Sequence, residues 1–169
     1  MIRADHMRAM ILFHRYKTDA RPATKKLIAG AISNALLVHA RIEEEIFYPA
    51  MRAARSTLLG ELEAEHQEMR TLIAALSGME ATDPQFDLTF MELMRSVIHH
   101  VADEETMLLT SAESQLGGRL GQVGAQMAKR RSELKGEMLG EKARRHPLGA
   151  TVFAAGALLA GLWLVRKRA

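Results

Sequence analysis

Two short segments of this chain, His39-x-x-x-Glu43 and His100-x-x-x-Glu104, set a histidine and a carboxylate one helical turn apart on stripes that are otherwise apolar. Residues at i and i+4 project from the same side of a helix. A carboxylate on a buried face is costly unless a cation answers it. Any fold of the chain must therefore bring positive charge to these faces. Arg8, Arg70 and Arg95 are available for this, and so is a bound metal ion.

The stripes themselves define four helices. The first is expected from Ile2 to Asp19, ending before Pro22 because the residue before a proline avoids the helical region. The second begins at Pro22, carries positions 28, 32, 35, 39, 42/43 and 46 on its inner face, and is expected to break near Pro49. The third starts at Ser56 as N-cap, follows 59, 62, 66, 69, 73 and 76, and stops at Ser77-Gly78. Asp83-Pro84 reads as N-cap and first turn of the fourth, with 86, 90, 93, 97, 100, 104 and 107 facing inward. Strand-like alternation is missing. Four amphipathic helices on short loops predict an all-α, up-down-up-down four-helix bundle.

His6 and His66 occupy inner faces too, so each helix offers one histidine. The arrangement is repeated. Asp5-His6 recurs as Glu65-His66 after 60 residues, and the His-x-x-x-Glu segments recur after 61. Two packed helical hairpins would gather four imidazoles around Glu43 and Glu104, the donor set of a two-metal site with bridging carboxylates. The chain has no cysteine, which excludes thiolate zinc and iron–sulfur sites. Imidazole with carboxylate suits iron, manganese or zinc.

Asp5-His6, His39-x-x-x-Glu43-Glu-Glu-Ile-Phe-Tyr-Pro49, Glu65-His66 and His99-His100-Val-Ala-Asp-Glu104-Glu resemble the hemerythrin-like (HHE cation-binding) domain over about residues 1–112. The resemblance implies a four-helix bundle around a non-haem di-iron centre, with His6, His39, His66 and His100 as terminal ligands and Glu43 and Glu104 bridging two iron ions. It departs from the oxygen carriers where Arg70 replaces a further histidine, and from other members where Ala40 replaces an acidic residue. Glu63, His99 or water would fill the position so opened. Glu44, Glu45, Asp103 and Glu105 read as solvated or in contact with the ligands. Glu61, Glu65 and Glu68 read as an exposed face, and His14 and His146 as surface residues. Thr110, standing where Pro49 stands in the first hairpin, predicts that the fourth helix runs on.

Charge divides the chain. Residues 1–110 carry 12 Lys+Arg against 16 Asp+Glu, and 111–169 carry 11 against 4. An acidic body with a basic tail is not the footprint of a nucleic-acid-binding domain. Residues 113–146 read as a basic, partly helical stalk. Leu148 to Val165 is free of charge, flanked by basic residues and long enough for a bilayer core, so 147–166 is expected to be a single-pass membrane anchor with the metal-binding domain in the cytoplasm. Ala150, Ala154, Ala157 and Gly161 offer a face on which two anchors would pair into a homodimer. The function implied is binding of dioxygen or a related small ligand such as nitric oxide for storage, delivery or sensing. The alternatives are an enzyme acting on peroxide or another oxidant, and a metal-stabilised adaptor tethered to the membrane.

Overall fold

The structure, a computed structural model, describes residues 1–145, with the backbone alone at 53–56, 142, 143 and 145. It is all-helical. Six α-helices run in order: α1 (Ile2–Arg15), α2 (Pro22–Ile42), α3 (Tyr48–Gly78), α4 (Pro84–Asp103), α5 (Leu109–Leu116) and α6 (Leu120–Arg145). A π-helical turn at Glu43–Phe47 joins α2 to α3, and another at Glu104–Leu108 joins α4 to α5. A first compact unit takes in Met1–Arg131. The second begins at Ser132, and its described part, 132–145, is helical.

α1 buries Ile2, His6, Ala9 and Phe13 and stops at Arg15, four residues short of the sequence expectation. Tyr16 leaves the helix in an extended conformation, stacks on Phe90 with ring centroids 3.8 Å apart and donates its hydroxyl proton to Asp87. Those contacts draw the chain off the helical path. Pro22 opens α2, where its missing N–H has no helical partner to lose. Asp83 caps α4 by accepting a hydrogen bond from the Gln85 N–H at 2.8 Å.

No break occurs at Pro49. The helix widens ahead of it instead: Glu45, whose carbonyl a proline ring at position 49 would crowd in an α-helix, lies inside the π turn. The chain then reverses further on. A straight helix would hold residues 44 and 66 about 33 Å apart, yet Glu44 and His66 are hydrogen-bonded at 2.9 Å. Arg52 also meets Glu63 at 2.7 Å, so the reversal lies between those two. The third helix of the bundle is thus the later part of α3.

Both π turns insert a residue and shift the inner face by one position. Ile46 and Met107, expected inside, give way to Phe47 with Tyr48 and to Leu108, which are buried, while Met107 is exposed. As Thr110 predicts, the fourth helix continues through α5 to Leu116, where Gly117 adopts a positive φ of 49° that suits glycine. The described part of the segment expected as a stalk, 113–145, is helical, and its first part, to Arg131, belongs to the bundle unit. Val123 and Met127 are buried there.

One apolar layer joins Phe13, Ile32, Leu36, Ile73, Phe86, Phe90, Leu93 and Val97. Phe47, Met51, Leu59, Leu62, Leu108 and Ala112 are buried beyond the histidines. The polar layer therefore has apolar residues on both sides along the helices. The expected anchor, 147–166, lies outside the described residues. Among the described residues no helix is long and apolar enough to cross a membrane.

Candidate metal centre

All six residues singled out by the repeat meet in one layer, and all six are buried: His6, His39, Glu43, His66, His100 and Glu104 are no more than 4% exposed. The Nε2 atoms point inward. His6 and His39 bring theirs to 3.1 Å, and His66 and His100 to 3.2 Å. Glu104 Oε2 stands 3.2 Å from His6 Nε2, and Glu43 stands 3.1 Å from His39 Nε2 and 3.5 Å from His66 Nε2. His6, His39, His100 and Glu104 form one group whose ligand atoms lie within 4.8 Å of one another, and Glu43, His66 and His100 form a second.

A ring of carboxylates faces the outward nitrogens and accepts hydrogen bonds from three of the four. His6 donates its Nδ1–H to Glu105 at 2.8 Å, His66 to Glu44 at 2.9 Å and His100 to Glu65 at 2.9 Å. Asp5 faces His39 Nδ1 at 3.6 Å. Each carboxylate is the chain neighbour of an inward residue and faces the histidine of the next helix, from α1 to α2, on to α3, to α4 and back to α1. Such contacts fix the tautomer so that Nε2 keeps its lone pair for a metal, and they raise ligand basicity.

Electrostatics separate the two glutamates. Burial pushes Glu43 well above the usual carboxylate range, and the charge of Glu104 pushes it further. Burial would raise Glu104 as well, but the imidazole of His6 beside it and those of His39 and His100 hold it below its ordinary value. Burial lowers His39 to about 4 and also lowers His66, keeping both rings neutral. His6 is raised, because Glu104 and Glu105 outweigh the effect of burial.

A buried group without a partner is the test of whether a cation fits. Neither oxygen of Glu43 or Glu104 makes a hydrogen bond, nor does the Tyr48 hydroxyl. Burying carboxylate oxygens without a partner is a large cost. Metal cations among the four imidazole nitrogens would remove it, and the sulfur-free donor set suits iron, manganese or zinc. The residues fit the group.

Two expectations are corrected. Glu63 and His99 do not fill the open position: Glu63 pairs with Arg52, and His99, 70% exposed, turns to Glu65 and Asp103. Glu65 is not part of an exposed charge run, being the support of His100. Arg70 donates to Glu44 at 2.6 Å and braces the support of His66. The inner residue missed altogether is Tyr48. It is fully buried and its ring stacks on His66 at 5.6 Å, and burial raises its phenol far above the ordinary value. Only the extra residue of the π turn brings it inside, which a 3.6-residue period does not disclose. Asp5 and Glu65 did leave a signal: each precedes its histidine in both copies of the repeat.

Residues 1–112 match the family described as the hemerythrin HHE cation-binding domain. The chain belongs to that family. Its architecture agrees with the solved structure of a hemerythrin HHE cation-binding domain-containing protein from Mycobacterium kansasii, at 21% identity and a TM-score of 0.71 over 85% of this chain and 89% of that one. A curated relative from Nostoc sp. (strain PCC 7120), named a DNA nickase, is 30% identical over 117 residues, 69% of this chain. The chain spans about a third of that relative's length. As an HHE-domain protein it is a metal-binding helical bundle.

Proposed function

We propose that this HHE-domain chain is a non-haem di-iron protein that binds dioxygen, or a related ligand such as nitric oxide, for storage, delivery or sensing. One observation carries the reading: four buried carboxylate oxygens without hydrogen bonds lie in the same layer as four inward-facing imidazole nitrogens. His6, His39, His66, His100, Glu43 and Glu104 would hold the two irons. Iron would supply reversible electron transfer and exchange of a small ligand. The protein supplies the rest. Glu105, Glu44 and Glu65 orient three of the imidazoles, the apolar residues to either side exclude water, and the Tyr48 O–H is a buried, neutral proton donor beside the site.

That same hydroxyl favours one alternative, turnover of peroxide, because cleavage of an O–O bond calls for a proton at the departing oxygen. Full-length protein from iron-supplemented cells separates the readings by metal analysis and by spectra under nitrogen and then air. About two irons per chain and a reversible, oxygen-dependent band support binding. Rapid loss of added peroxide supports the enzyme, and less than one iron per chain overturns both.

The uncharged run from Leu148 to Val165 supports a further proposal, that 147–166 tethers the bundle to a membrane from the cytoplasmic side. Full-length protein recovered in the soluble fraction without detergent overturns it.

A further inference from the structure

Three of the four inward histidines have a satisfied Nδ1, and His39 does not. Asp5 Oδ2 stands 3.6 Å from it, beyond hydrogen-bonding reach, and the nitrogen is buried without a partner. The other three contacts are 2.8–2.9 Å. What distinguishes Asp5 is the company it keeps. Arg131 of α6 donates from Nη2 to the same Oδ2 atom, and Arg8 approaches Oδ1 at 3.5 Å. Arg131 is itself largely buried, its side chain only 16% exposed. It lies beyond residue 112, where the family match ends.

We propose that Arg131 is a positioning residue that draws the Asp5 carboxylate away from His39, so that α6 sets how firmly one metal ligand is held. The inference rests on the metal centre proposed above. A carboxylate on the outer nitrogen of a ligand histidine fixes the ring and strengthens the ligand, and losing such a contact typically costs about 10–100-fold in metal affinity. A guanidinium competes well for that carboxylate because it is always charged and presents several N–H donors. With Arg131 seated, His39 is the least supported of the four imidazoles. Without it, Arg8 still reaches only Oδ1, and His39 Nδ1 is the donor that faces Oδ2. The neighbouring Arg130 provides the contrast. It also ties α6 to the bundle, through Glu45 at 2.6 Å, but Glu45 pairs with Arg41 on the outside rather than with an inward histidine.

The test is the half-time for loss of the first iron equivalent from the iron-loaded, full-length chain to excess ferrozine. Arg131→Gln lengthens it about tenfold. Arg130→Gln, which loosens α6 without touching Asp5, leaves it within about twofold of the parent. Arg131→Lys keeps the charge and behaves like the parent, and remains informative if the glutamine variant does not accumulate. Adding Asp5→Ala to Arg131→Gln abolishes the gain. The inference is overturned if Arg131→Gln releases iron as fast as the parent or faster, if Arg130→Gln gives the same slowing, if Arg131→Lys slows release, or if the double variant keeps the gain. A parent chain that carries no iron overturns the metal centre and this inference with it. A parent with two irons and an unaffected Arg131→Gln overturns this inference alone.

Discussion

Glu44 accepts a hydrogen bond from His66 at 2.9 Å, tying the π turn after α2 to the middle of α3. It is one of the three carboxylates that support inward histidines, and Arg70 steadies it from outside. Glu44→Gln keeps the shape but weakens the acceptor. Metal affinity should fall about tenfold, measured by competition with a chelator of known strength. Glu92→Gln, which alters only an exposed pair with Arg95, should leave affinity unchanged. Equal affinities for the two variants would show that the ring carries no load.

Buried Glu43 opposes folding when no metal is bound and favours it when metal is present. Glu43→Gln removes a buried group that burial and Glu104 already push toward protonation. The metal-free variant should therefore be more stable than the metal-free parent, by about 1–3 kcal/mol. The iron-loaded comparison should reverse, with iron content and melting temperature both below the parent, as for Glu43→Ala and Glu104→Ala. Calorimetry of the four states checks this. A destabilised metal-free Glu43→Gln would mean that the carboxylate has a protein partner.

How much of this was legible in the sequence follows from periodicity. The His-x-x-x-Glu segments run along regular helix up to the first residue of each π turn, so their inward aim could be read from spacing alone. Phe47, Tyr48 and Leu108 could not, because Phe47 and Leu108 end the π turns and Tyr48 follows one, where the period used to place them is broken. Glu65 looked like a surface charge among Glu61 and Glu68, and only the packing of α3 on α4 brings it to His100. Arg131 was hidden more deeply still, since its contact with Asp5 spans 126 positions and no local pattern records such a distance. The end of α1 was misplaced for a similar reason: Tyr16 answers to Phe90 and Asp87 rather than to its chain neighbours.

The apolar layer below the site can be weakened without dismantling the site. Phe90 is 1% exposed, stacks on Tyr16 and meets Phe13 edge-on at 5.8 Å. Phe90→Ala should cost about 3–5 kcal/mol, seen as a lower denaturant midpoint for the metal-free protein. At temperatures where the variant is folded, its iron stoichiometry should match the parent, because Phe90 contributes nothing to the ligand layer. Loss of iron from a fully folded variant would show that the two layers are coupled.

Acidity should act oppositely on the metal-free and metal-loaded forms. In the metal-free protein Glu43 and His6 both titrate above their ordinary values of 4.5 and 6.5. Groups shifted this way contribute stability in full below their unfolded values and lose it as pH rises through the folded ones. His39 opposes them. Burial lowers it to about 4, so its contribution is complete above 6.5 and fades as pH falls toward 4. Metal takes only deprotonated ligands, so binding must expel the protons held by Glu43 and His6. Each proton expelled makes binding more favourable by about 1.4 kcal/mol per pH unit. The melting-temperature gap between loaded and metal-free protein should therefore widen steadily from about pH 5 to 8. Paired thermal scans in matched buffers measure it directly, and a gap that stays flat would show that both ligands have already lost their protons before metal arrives.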